Sequence, residues 1–234
     1  MLLVMKQIII KLYSVFISLY YYFLWHKSVD QNNIIFFRSV IRGVKNNEIK
    51  LNQARIKYSN IHIHGQNNYL ELNQCNFNKT TVLIVGENNL INISPDVNMN
   101  STHIVLRGNN CQIKIGRGTT FGSAYIVCMG RFNSIQIGEE CMFAENVEIW
   151  NSDSHPIFDN EGILINPSKP IYIDNHVWCG KGCKILKGVT IGENAVIGME
   201  TLVTKDINSG TMNVGIPARE VRKNINWRRE FITR

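Results

Sequence analysis

The residues best suited to acid–base chemistry lie in one short segment, which holds His155 directly before Pro156 and two residues after Asp153. A histidine side chain has an unperturbed pKa of about 6.5, so at neutral pH it can take the proton of a substrate hydroxyl. A nearby carboxylate can fix the ring tautomer and stabilise the imidazolium. We predict His155 as a general base and Asp153 as its orienting partner, the alternative for Asp153 being a loop cap.

The other histidines and the cysteines do not have the spacing of a metal site. A zinc site needs clustered ligands. The histidines closest in sequence, His62 and His64, instead alternate with isoleucines along a predicted strand. His26 and His103 are isolated, and we expect His176 at a corner of the fold. No CxxC pair occurs, so we expect no metal and six reduced cysteines in core or turn positions: Cys75, Cys111, Cys128, Cys141, Cys179 and Cys183.

A step of six predicts the element that must position these side chains. Small apolar residues recur at that interval in the C-terminal third: Ile173, Cys179, Ile185, Ile191, Ile197 and Val203. A helix repeats at about 3.6 residues and a flat strand at about 2, so neither requires a step of six. A triangular coil of three short strands does, with one inward side chain on each side. The sequence therefore predicts an all-β parallel β-helix.

The N-terminal half contains a longer version of the same repeat. Segments such as GQNNYLEL and GENNLINI join a Gly-Asn cluster to an alternating apolar strand. The aliphatics that end these strands follow one another at steps of 21, 21, 22 and 22: Leu51, Leu72, Ile93, Ile115 and Ile137. Tight corners need residues that tolerate positive φ, as Gly and Asn do. We interpret these clusters as corners with stacked amides rather than as sugar-binding motifs.

One insertion interrupts the coil. Residues 151–170 form a segment of about 20 residues with Pro156, Pro167 and Pro170, and it contains both His155 and Asp153. A long loop on a compact solenoid is usually functional. We therefore divide the chain into an arm (1–32), a β-helix domain (33–217) with an active-site loop at 151–170, and a basic tail (218–234).

The N-terminal arm differs from the rest in composition. Its uncharged run, positions 12–25, is shorter than the roughly 20 residues that span a bilayer. Polar residues recur every three or four positions, which predicts an amphipathic helix with a wide apolar face. No small-residue cleavage site follows. Two roles stay open for this helix: packing against partner subunits, or lying at a membrane surface.

The overall charge restricts the partners without naming one. The sequence has 25 basic and 18 acidic residues, a net charge of +7, which suits an anionic ligand or membrane surface. No basic-aromatic motif typical of nucleic-acid binding occurs, so nucleic acid is excluded.

Two segments carry a family resemblance. VWCGKGCKILKGVTIGENAVIGMETLVTKDINSGTMNVGIPAREVR and the upstream NSDSHPIFD resemble the hexapeptide-repeat acyltransferases, in the branch of sugar and capsular polysaccharide O-acetyltransferases. The resemblance covers roughly residues 137–223. It implies a left-handed coil, acetyl-CoA as acyl donor and a homotrimer with sites between subunits. The reduced cysteines suit a cytoplasmic location, and the arm allows peripheral contact at the inner face of the membrane.

The resemblance also implies roles for individual residues. Trp150 and Trp178 would line the acceptor site. The donor would contact Trp178, Gly180, Lys181, Met199, Thr204, Lys205, Arg219 and Arg222. The chain departs from the pattern where Met199 and Glu200 replace a small pair, and where Asp174 and Lys187 stand in place of glycine or proline.

The expected function is therefore transfer of acetyl from acetyl-CoA to a sugar hydroxyl, with His155 as base and no covalent intermediate. Two alternatives stay open: N-acetylation of a nucleotide-linked aminosugar, and a β-helix scaffold without catalysis. The sequence does not identify the acceptor sugar, the hydroxyl position or acyl groups other than acetyl.

Overall fold

The computed structural model describes residues 29–32 and 34–233, and within them it contains strands and no helix. Three parallel sheets follow one another around a coil. Sheet A contains β1 (Val29–Asn32), β4 (Glu48–Asn52), β7 (Tyr69–Asn73), β10 (Leu90–Ile93), β13 (Gln112–Ile115), β16 (Ser134–Ile137), β19 (Ile171–Ile173) and β22 (Thr190–Ile191).

Sheet B contains β2 (Ile35–Phe37), β5 (Arg55–Lys57), β8 (Asn76–Asn78), β11 (Asn98–Asn100), β14 (Thr120–Phe121), β17 (Met142–Phe143), β20 (Trp178–Cys179), β23 (Val196–Ile197), β25 (Met212–Val214) and β26 (Arg219–Arg222). Sheet C contains β3 (Val40–Arg42), β6 (Asn60–His64), β9 (Thr81–Val85), β12 (His103–Asn109), β15 (Ala124–Arg131), β18 (Val147–Trp150), β21 (Lys184–Leu186) and β24 (Leu202–Val203). Each coil passes from A to B to C, so its corners are A–B, B–C and C–A.

The strand register confirms the predicted repeat. In sheet A, Ile49 pairs with Leu70, Leu70 with Ile91, Ile91 with Ile113, and Ile113 with Ile135. The numbering thus advances by 21, 21, 22 and 22 from coil to coil, as the sequence predicts. Near the C-terminus Tyr172 pairs with Thr190, so the step there shortens to 190 − 172 = 18, which is three sides of six.

The core is a narrow column of inward side chains, and the sixfold series forms its C-terminal part. Cys179, Ile185 and Ile191 are fully buried, and Phe121 stacks on Phe143 with ring centroids 4.6 Å apart. All six cysteines are buried, which confirms their expected positions. Among the described residues no group of three His, Cys, Asp or Glu side chains could hold a metal ion.

The Asn clusters form corners, as predicted. Asn46, Asn67, Asn88 and Asn110 adopt positive φ of 55–62°. The buried side chains beside them stack between coils: Asn68 Nδ2 donates to Asn47 Oδ1 over 2.9 Å, and Asn89 Nδ2 donates to Asn68 Oδ1 over 3.0 Å. These amides satisfy one another along the C–A corner, so they stabilise the fold rather than bind ligand.

The described residues begin at 29 and end at 233. The amphipathic helix expected near the N-terminus lies outside the described residues, and the first strand, β1, falls within the range assigned to the arm. At the other end β26 pairs antiparallel with β25, so part of the basic tail is a strand. None of the described segments forms a helix with the length and hydropathy of a membrane span.

Candidate active site

The insertion 151–170 leaves the coil at the C–A corner, between β18 and β19. Ile135 pairs with Ile171 across it, a step of 171 − 135 = 36, where the coils before and after it need 22 and 18. Its outer part is a short hairpin in which Phe158 and Leu164 form an antiparallel bridge and Ile165 N donates to Ile157 O over 2.9 Å. The insertion is thus an ordered projection from the coil.

A polar clamp closes the base of this hairpin, with Asn166 at its centre. Asn166 Oδ1 accepts from Ile157 N over 2.6 Å, and Asn166 Nδ2 donates to Asp153 Oδ2 and to His155 O, both over 2.9 Å. Lys187 Nζ donates to Asp153 Oδ2 and, over 3.1 Å, to Asn166 O. Lys187 lies directly after β21, one coil further on, so the coil itself holds the segment around His155.

The carboxylate of Asp153 therefore faces Lys187 and not the imidazole of His155. The two residues share only a backbone bond, from His155 N to Asp153 O over 2.8 Å. The Lys187 ammonium lowers the pKa of Asp153 below its usual value, with the Asn166 bond adding to the effect. The His155 side chain is exposed and hydrogen-bonds to none of residues 34–233. Within one chain the imidazole is free to meet a ligand.

Trp150 stands on the outer face of sheet C, at the point where the insertion begins. Its Nε1 donates to Glu148 Oε2 over 3.1 Å, and its ring stacks on Tyr125 with centroids 5.3 Å apart. Glu148 also pairs with Lys184 over 2.5 Å. These contacts fix the indole on the strand that leads into the insertion, and Trp150 pairs with Leu186, the residue before Lys187.

Trp178 lies on sheet B, away from that corner. It is half-buried between Met142 and Val196 of the neighbouring strands, and its ring centroid lies 5.9 Å from that of Trp227. Because sheet B is the side opposite the C–A corner, a single chain presents His155 and Trp178 on different sides of the coil.

Small residues line the B–C corner next to Trp178. The positions directly after successive strands of sheet B are Gly122, Ala144, Gly180 and Gly198. A Cβ added at Gly180 would lie 2.8 Å from Met199 N, so the coils are in close contact there. Lys181 pairs with Glu145 over 3.4 Å, and Met199 is 66% exposed. Gly180, Lys181 and Met199 thus share one narrow corner.

The remaining predicted donor contacts lie at the C-terminal end of the coil. Thr204 and Lys205 follow β24 and are exposed, as are Arg219 and Arg222 of β26. A bond from Ala218 N to Leu202 O, 2.8 Å long, brings the start of β26 beside β24. This end of the molecule therefore presents three exposed cations: Lys205 after β24, and Arg219 and Arg222 on β26.

Sequence reasoning did not predict three residues that organise the site. Asn166 and Lys187 form the clamp, and Trp227 contacts Trp178. Lys187 stood out only as a replacement for glycine or proline. Asn166 carried no signal, because side-chain partners within an irregular loop have no periodicity.

Two solved structures are similar to the chain over most of its length. The polysialic acid-specific acetyltransferase NeuO is 30% identical and superposes with a TM-score of 0.64 over 87% of this chain and 89% of its own. The polysialic acid O-acetyltransferase OatWY is 30% identical, with a TM-score of 0.66 over 88% of this chain and 93% of its own.

Curated relatives match a shorter stretch of the chain at higher identity. The polysialic acid O-acetyltransferase of Escherichia coli O1:K1 is 37% identical over 91 residues, which are 38% of this chain. The galactoside O-acetyltransferase of Lactococcus lactis is 41% identical over 85 residues, 35% of the chain. These alignments span 30% and 40% of the relatives' own lengths.

No family model matches the sequence. The parallel coil, its step of six and the similarity to both polysialic acid acetyltransferases along nearly their whole length nevertheless agree. On this evidence the chain belongs to the hexapeptide-repeat acyltransferases, in the branch of sugar and polysaccharide O-acetyltransferases.

Proposed function

We propose that this protein transfers an acetyl group from acetyl-CoA to a hydroxyl of a sugar in a polysaccharide or glycoconjugate. The observation that carries the proposal is the free imidazole of His155, held on a clamped projection in a chain similar to polysialic acid O-acetyltransferases. An exposed base on an otherwise ordered loop suits proton removal from an incoming hydroxyl.

The reaction needs one base and a good leaving group. His155 takes the hydroxyl proton while the sugar oxygen attacks the thioester carbonyl, which gives a tetrahedral oxyanion. The oxyanion collapses, the carbon–sulfur bond breaks, and the imidazolium returns its proton to the coenzyme thiolate. A positioned base contributes about 10²–10⁴-fold to such a step. No covalent enzyme intermediate and no metal is required.

The donor is assigned to the B–C corner and the C-terminal end. The pantetheine arm would run beside Trp178 along this corner, where Gly180 presents no side chain. Met199 would lie along the same arm, and Lys181 at its edge. The phosphates would then meet the exposed cations Lys205, Arg219 and Arg222, with Thr204 adjacent, since arginine binds phosphate as a fork and lysine as a point charge.

The complete site is proposed to form between subunits of a homotrimer. His155 and Trp178 lie on different sides of one coil, so a neighbouring chain has to bring them together. The hairpin supports such contact because it exposes five large apolar side chains, between 44% and 57% accessible: Ile157, Phe158, Ile163, Leu164 and Ile165. Apolar patches of this kind mark protein–protein contacts.

The test is acetyl-CoA turnover, measured by thiol release, against a panel of oligosaccharides and polysialic acid. We expect release with at least one acceptor and an acetylated product that mild alkali cleaves, because an ester is base-labile. An alkali-stable product on an amino sugar would replace O-acetylation with N-acetylation. A wild-type protein that neither binds nor consumes acetyl-CoA would leave only the scaffold function.

A further inference from the structure

We infer that Trp227 is a positioning residue for Trp178, and that Arg229 anchors it. Both belong to the segment after β26, residues 223–230, called the strap below. The inference rests on the proposed function in one respect, namely that Trp178 lines the cleft in which acyl transfer occurs.

The strap runs back along the A–B corner, opposite to the direction in which the coil advances. Ile225 N donates to Gly210 O over 3.0 Å in the last coil, and Trp227 Nε1 donates to His176 O over 2.8 Å two coils earlier. Arg229 reaches Gly118, two coils earlier still. This part of the basic tail is therefore docked at three levels.

Trp227 is the apolar centre of this contact. It is only 6% exposed, and its ring stacks on that of His176, with centroids 4.2 Å apart and planes 7° apart. His176 is itself held by a 2.8 Å bond between its Nδ1 and Asn194 Oδ1. The indole of Trp178 meets Trp227 at 5.9 Å and 46°. One side of Trp178 therefore rests on an indole that is itself held in place.

Arg229 is bound too completely to serve a ligand. Its guanidinium donates to Thr120 Oγ1 over 2.8 Å and to three backbone oxygens, those of Gly118 at 3.1 Å, Glu140 at 3.2 Å and Cys141 at 2.8 Å. Guanidinium bonds of this kind are charge-assisted and set the geometry of both partners. Arg219 and Arg222 are the arginines proposed to meet phosphates, whereas the hydrogen bonds of Arg229 fix the strap to the coil.

The functional consequence follows from the position of Trp178 on an outer face. On that face the indole of Trp178 lies between Met142 and Val196 of the neighbouring strands. Trp227 of the strap contacts it from the side. Without Trp227 the ring would gain freedom toward the A–B corner. A displacement of about 1 Å in a group that orients substrate can cost up to about 10²-fold in rate. Trp227 would thus act on catalysis without touching substrate.

A double-mutant cycle tests this coupling in the full chain. Trp227→Leu removes both the stack and the Nε1 donor, whereas Trp227→Phe keeps an aromatic ring on His176. We expect Trp227→Leu to lower kcat/KM for the acceptor about tenfold in the wild-type background and by less than about twofold in the Trp178→Ala background, with Trp227→Phe in between. Equal losses in both backgrounds would overturn the inference.

The matched control is Phe231→Leu, an aromatic residue four positions along that is 89% exposed, for which we expect unchanged kinetics. A second readout does not need activity. With Trp25 and Trp150 replaced by phenylalanine, acrylamide should quench the Trp178 emission more strongly in the Trp227→Leu chain than in the Trp227→Phe chain. Equal quenching would contradict the inference even if the protein had no acetyltransferase activity.

Discussion

At the scale of single residues, the site depends on which partner each side chain meets. Asp153 lies two positions before His155, a spacing that suggests a catalytic pair, yet its carboxylate hydrogen-bonds to Lys187 and Asn166. Its role is then to hold the backbone of the insertion, which leaves the imidazole of His155 free.

The pKa of Asp153 tests this pairing. Because Lys187 lowers the pKa of Asp153 in the folded protein, the pairing stabilises the fold above the unfolded value of about 3.9 and is lost as the pH falls through the lowered folded value. We expect a carbon NMR titration of Asp153 to show a lowered pKa in the wild type and a higher one in Lys187→Met. Identical titrations in the two proteins would contradict the clamp.

Gly180 gives a second prediction at this scale. An added methyl group would lie 2.8 Å from a backbone nitrogen of the next coil, whereas at Gly122, in the same column, the nearest atom would be 3.1 Å away. Neither glycine has positive φ. Gly180→Ala should destabilise the protein by about 1–3 kcal/mol and weaken acetyl-CoA binding, measured by thermal unfolding and calorimetry. Gly122→Ala serves as the milder control, and an equal effect would argue against a tight corner.

At the scale of elements, the insertion and the coil differ in how far sequence determines them. The sixfold series predicts the coil because each side of a narrow triangle admits one small inward side chain, as at Cys179 and Ile185. Likewise, the asparagines of the Gly-Asn clusters predict corners, because asparagine tolerates the positive φ that a tight corner needs. The insertion has no repeat. The contact between Asp153 and Lys187 joins positions far apart in the chain, and it depends on the register of β18 with β21.

The clamp predicts the effect of losing Asn166. Asn166→Ala removes three hydrogen bonds at the base of the hairpin, so the backbone at His155 should loosen while the donor corner stays intact. We expect kcat to fall by about 10–100-fold with unchanged acetyl-CoA affinity, and the amide of Ile157 to lose protection from hydrogen exchange. Asn160→Ala, in the same hairpin without a side-chain hydrogen bond within residues 34–233, should behave as wild type.

At the scale of the whole molecule, the proposed site requires residues from more than one chain. The coil places His155 and Trp178 on different sides, and the hairpin that follows His155 exposes apolar side chains. Assembly could not be derived from periodicity, which describes one chain, and the trimer came from the family resemblance alone. The handedness of the coil, the cytoplasmic location and the N-terminal helix with its role also remain predictions.

The hairpin should control assembly. Replacing Phe158, Ile163 and Ile165 with serine removes exposed apolar surface without affecting the core. We expect light scattering to give the mass of three chains for the wild type and a smaller species for the triple variant, with loss of acetyl transfer. Phe231→Ser, at an exposed aromatic outside the hairpin, should leave the mass unchanged. A triple variant that stays trimeric would exclude the hairpin as the interface.

Proton removal by His155 can be measured by single-turnover acetyl transfer. Wild type and His155→Gln would be compared on an acceptor on which the wild type is active. Calorimetry should show that both proteins bind acetyl-CoA equally. We predict a rate for His155→Gln that is lower by about 10²–10⁴-fold. An unchanged rate, with the coenzyme bound, would contradict the assignment of His155 as the base.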